Sequence, residues 1–159
     1  MQAPLIRSAC SIAALLGFIS APVCSNASAK DLDMLARLLI PAYMAQDFAG
    51  LCVDQDAKFL ADLNGGTMLV NAFSEHVKKE VTIDLPESEA MKVLVIAADT
   101  ARNVARYEMQ LIGGQRSGVP AEALKRWCDR SAKNFIHEIM MKHHEKHDEF
   151  DRLVEAAKQ

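Results

Sequence analysis

Glycine and proline punctuate this chain at few positions, and after Pro120 neither occurs again. Both disfavour helix interiors, so their distribution limits where helices can begin and end. Between the breaks, apolar residues recur at helical spacing. Leu32, Leu35, Leu38 and Leu39 predict a first helix from about Asp31. Pro41 is expected to break or kink it, because an interior proline costs about 3 kcal/mol. A second piece then carries Tyr43, Met44, Phe48 and Leu51 toward Cys52. Asp54 is placed to cap a short helix through Phe59, Leu60 and Leu63, which Asn64-Gly65-Gly66 stops.

From Thr67 onward, Leu69, Ala72, Phe73, His76 and Val77 fall on one helical face, with Lys78 and Lys79 opposite. Pro86 suits the first turn of the next helix, spanning roughly 86–112. Its apolar stripe includes Val93, Ala97 and Ala101, and Met91, Val95 and Ala98 widen it until little of the circumference is polar. Such a helix is expected to be central, with neighbours on two sides. Residues 113–118 form the clearest loop, and Pro120 opens the last helix, which can run to about residue 157. Unbroken, that helix would be about 57 Å long, against roughly 28 Å across for a domain of this size. It must bend or project, and a projecting end would offer a surface to a partner. The expected architecture is all-α, a four- or five-helix bundle with a long C-terminal helix.

Residues 1–29 have the pattern of a cleavable export signal. Arg7 supplies a positive flank, Ile12 to Ile19 an apolar core, and Ala27-Ser28-Ala29 a small-residue exit. The apolar core is too short for a membrane span, which needs about 20 residues. Cleavage after Ala29 leaves a single helical domain over residues 30–159. Loss of Arg7, with no acid removed, takes the formal charge from −3 to −4. That balance argues against nucleic acid and against an anionic membrane surface. The expected location is the periplasm or the exterior.

Two of the four cysteines leave with the leader, and Cys52 and Cys128 remain. Two thiols in an oxidising compartment are expected to pair. Closing a loop of that length removes unfolded-chain entropy equivalent to about 4 kcal/mol. Their spacing fits no C-x-x-C metal or redox motif.

Four of the five histidines lie in the last helix, at positions 137, 143, 144 and 147. Taking Ala132 as zero and about 100° per residue, His143 falls near 20° and His147 near 60°, on the apolar stripe with Ile136, Phe150 and Val154. Asp151 continues the i, i+4, i+8 series at its edge. An i, i+4 histidine pair can converge on Zn, Cu or Ni. Asp151, Met140 and His144 are the further candidate ligands nearby, a methionine thioether favouring copper. The H-x-x-x-H contains no glutamate of the hydrolytic H-E-x-x-H motif, so a third strong ligand must come from elsewhere in the chain. The competing reading takes this charge-dense stretch as a solvated helix surface. His76, beside Phe73 and Val77, reads as a hydrogen-bonded core histidine.

No other pattern specifies chemistry. Asp54 and Asp56 lack the spacing of a calcium loop, and the glycine pairs complete no phosphate-binding fingerprint. The sequence therefore points first to an exported, non-enzymatic helical module that binds a protein partner or joins an assembly, with His144, Glu145, Asp148, Glu149 and Arg152 as the contact surface. The alternative is an exported transition-metal-binding protein using the C-terminal histidines. An enzyme working through carboxylates or His76 in an interhelical cleft is the third reading.

Overall fold

A computed structural model describes residues 30–53, 66–113 and 119–159. The leader, the short helix expected after Asp54 and the loop glycines Gly114 and Gly118 lie outside the described residues. The described chain is helical throughout: α1 (Leu32–Val53), α2 (Gly66–Thr82), α3 (Glu87–Gly113), α4 (Ala121–Trp127), a π-helical turn (Cys128–Ala132), α5 (Lys133–Glu145) and α6 (His147–Lys158). The expected all-α bundle is what the chain forms.

Pro41 does not divide the first helix. It lies inside a continuous 22-residue α1, because the helix on either side of it is buried against neighbours that hold its direction. Leu35, Leu39, Ala42, Ala45, Phe48 and Cys52 are all buried along this one element. Packing of an apolar face outweighs the loss of a single backbone hydrogen bond, since most helix stability in proteins comes from such packing.

The central element is therefore α1 and not α3, correcting the expectation from α3's wide apolar stripe. Helix α3 buries only Val93, Ala97, Ala101 and Ala105 along its length, together with its terminal Gly113. Met91 and Val95 on its other side are 53% and 52% exposed. Ala105 of α3 shares a core cluster with Ala45 and Ala49 of α1, and Ala97 shares the other with Ala42; small side chains on both sides permit close approach of the two axes.

One core cluster surrounds Cys52 and includes Val70, Ala105, Trp127 and Ile136; the other surrounds Leu35 and includes Val81, Val93 and Val154. Helix α2 thus begins near the end of α1 and returns to its start, α3 runs parallel to α1, and the α4–α6 arm returns antiparallel. This is up-down-up-down bundle order. Gly66, at the start of α2, has φ 67°, a left-handed conformation that glycine adopts without a Cβ clash.

The Cys52–Cys128 disulfide forms, with Cα atoms 5.6 Å apart, and joins the end of α1 to the π turn. Trp127 is buried beside it, its ring edge-on to Phe48 at 4.9 Å. The last helix neither runs straight nor projects. Residues 128–157 would span about 45 Å as one rod, against about 33 Å for α1 and about 40 Å for α3, so a straight arm pinned at Cys128 beside the end of α1 would run past the start of α1. The break comes at Lys146 (φ −117°, ψ 27°). Helix α6 then lies against the start of α1, where the Asp31 N–H donates to the Ala157 carbonyl at 2.8 Å. Among the described residues, no helix is long and apolar enough to cross a membrane.

Candidate metal centre

The corner at Lys146 brings two consecutive turns of the C-terminal arm over the last turns of α2. His143 lies in the last turn of α5 and His147 begins α6, both facing Glu80 of α2. His143 Nε2 lies 3.1 Å from Glu80 Oε2, and His147 Nδ1 lies 3.6 Å from Glu80 Oε1. One ligand atom from each of these residues lies within 4.8 Å of the other two. For bonds of 2.0–2.1 Å to a tetrahedral ion, ligand atoms stand about 3.3 Å apart, between the two distances seen here.

The site is half-enclosed. The side chains of His143 and Glu80 are 13% and 17% exposed. His143 stands between two phenyl rings, with Phe73 at 5.4 Å and Phe150 at 4.9 Å, both meeting it at steep angles. Burial holds the His143 imidazole below its ordinary pKa of 6.5; Glu80 opposes that shift, and the neighbouring His147 and His76 reinforce it. A neutral ring keeps a lone pair for an ion.

His147 supplies the most informative atom. Its Nδ1 is buried and has no hydrogen-bond partner among the described residues, although the rest of the ring is partly open. Its other nitrogen, Nε2, is 3.7 Å from Asp151 Oδ2. A carboxylate thus stands near each ring nitrogen, Glu80 by Nδ1 and Asp151 by Nε2; an ion between Nδ1 and Glu80 would leave the proton on Nε2, toward Asp151, the arrangement common around metal-bound histidines. Asp151 therefore approaches the cluster through the Nε2 side of His147 and is not one of the three converging donors.

His76 is not the core histidine expected from its neighbours. Its side chain is 61% exposed, its Nε2 is 3.1 Å from Glu80 Oε1, and its ring stacks on His147 with centroids 6.4 Å apart. It lies on α2 one turn before Glu80, on the open side of the cluster. Of the other sequence candidates, Met140 packs against the core around the disulfide, and His144 is exposed. Glu145, Asp148, Glu149 and Arg152 are all exposed, divided between the two sides of the Lys146 break.

Glu80 was invisible to a reading along the C-terminal helix because it lies 63 residues from His143 in sequence. The one available signal was the i, i+4 pair His76 and Glu80, which places an imidazole and a carboxylate on one face. No family matches the chain, and neither a known protein nor a solved structure shows significant similarity to it.

Proposed function

We propose that this is an exported helical protein that binds a divalent transition metal, Zn(II) foremost, through Glu80, His143 and His147. His76 closes the open side of the site, and Asp151 orients His147. The observation that carries this reading is the convergence of one donor atom each from Glu80, His143 and His147 within 4.8 Å of one another, the His147 Nδ1 among them being buried and without a hydrogen bond. A buried polar atom left without a partner is destabilising, and an ion at this point would satisfy it. Met140 packs against the core, and the converging donors are two imidazoles and a carboxylate. Two nitrogens and a carboxylate oxygen suit Zn(II), Ni(II) or Cu(II) better than Cu(I).

Metal binding is favoured over partner binding because three donor atoms converge on one point. Export is supported by the leader pattern and by a cystine of the kind that persists in oxidising compartments. The test is metal titration of the purified chain after stripping with chelator. One equivalent of Zn(II) is expected to bind, and at 100 times Kd to stabilise the fold by about 2.7 kcal/mol. The H143A/H147A variant should lose both effects. No bound equivalent and no rise in melting temperature with Zn(II), Ni(II) or Cu(II) would overturn the reading.

A further inference from the structure

A second feature lies on the opposite side of His143. Helices α1, α2, α5 and α6 leave a cavity of about 280 Å³ between them. Its walls include Leu38, Phe73, Ile139, Phe150 and Leu153, and the lining is mostly apolar. The mouth differs from the walls. Arg37, Lys142 and Lys146 surround it together with one acid, Glu149, giving the rim a net charge of +2 on a chain whose formal charge is −3.

The cations at the mouth are not equivalent. Lys142 is paired with Glu138, one turn away on its own helix, and Lys146 with Glu149 at 3.4 Å. Arg37 is exposed and has no ion-pair partner among the described residues. An apolar recess with an uncommitted guanidinium at its rim is complementary to a ligand with an aliphatic body and an anionic head, and guanidinium pairs favourably with carboxylate. Its volume lies just below the roughly 300–1,000 Å³ range of ligand pockets, which limits the ligand to a small one.

We infer that this cavity binds a medium-chain aliphatic carboxylate, its chain between Phe73, Phe150 and Leu153 and its head on Arg37. The site is separate from the metal donors except for His143, whose ring forms part of the wall. It requires no bound ion.

The experiment uses the chelator-stripped full chain with three eight-carbon probes: octanoate, octanol and octyltrimethylammonium. Calorimetry and NMR shifts of the aromatic protons provide the readouts. Octanoate is expected to bind with Kd on the order of 100 µM, at least tenfold tighter than the alcohol or the cation. Arg37→Glu should weaken octanoate about tenfold and leave octanol unchanged, which also shows that the variant is folded. Leu153→Trp, at a partly exposed position where a larger ring can lie across the recess, should abolish binding of all three. No octanoate binding at millimolar concentration, equal affinity for all three probes, or an Arg37→Glu variant that retains full octanoate affinity would each overturn the inference. Because no metal is present, these outcomes do not depend on the metal titration.

Discussion

At the residue scale, burial separates side chains of the same type into different roles. His143 and His144 are adjacent, yet His143 stands between two phenyl rings and beside Glu80, while His144 is exposed. One step along a helix rotates a side chain by about 100°, which is enough to move it from an interhelical seam to water. Met140 and Met141 divide in the same way, the first packed against the core and the second 41% exposed. Ile136 is fully buried beside the disulfide and Trp127. Ile136→Ala should therefore destabilise the protein by about 2–5 kcal/mol, read as a lower denaturant midpoint with an unchanged slope. A loss below about 1 kcal/mol would mean that this end of the core is loosely packed.

At the element scale, α1 and the C-terminal arm show how packing and local preference trade against each other. Pro41 withholds a backbone donor inside α1, but the helix continues because both its halves are buried. Pro41→Ala should restore that hydrogen bond and remove the ring's clash with the preceding turn. An increase in stability of about 1–3 kcal/mol is expected in thermal or chemical unfolding. A neutral or destabilising result would show that the proline ring's contacts at the cavity wall outweigh the backbone gain. In the arm, the break at Lys146 arises without glycine or proline. Helix α6 supplies Val154 and Ala157 to the core around Leu35, and Lys158 reaches the Glu80 carbonyl at 3.3 Å. These contacts are available only if the helix turns, and the same turn places His143 and His147 over α2.

At the scale of the whole molecule, the disulfide and the Asp31–Ala157 hydrogen bond hold the C-terminal arm at opposite ends of α1. The Cys52→Ser/Cys128→Ser variant should lose about 2–5 kcal/mol, and reduction of the native chain should lower the melting temperature to a similar extent. Unchanged stability in both cases would mean that packing alone seats the arm. The sequence by itself determined the helical class, the pairing of Cys52 with Cys128, and the proximity of His143 and His147, although the structure sets these two on separate helices on either side of Lys146. Each of these follows from spacing within a segment, or from there being only two cysteines outside residues 1–29. Only the tertiary structure decided that α1 is central, that the last helix turns at Lys146, and that Glu80 and His76 meet the two histidines. Those outcomes depend on which faces are buried against which, and on whether a rod fits the length of the bundle, and no periodicity along a single segment carries that information.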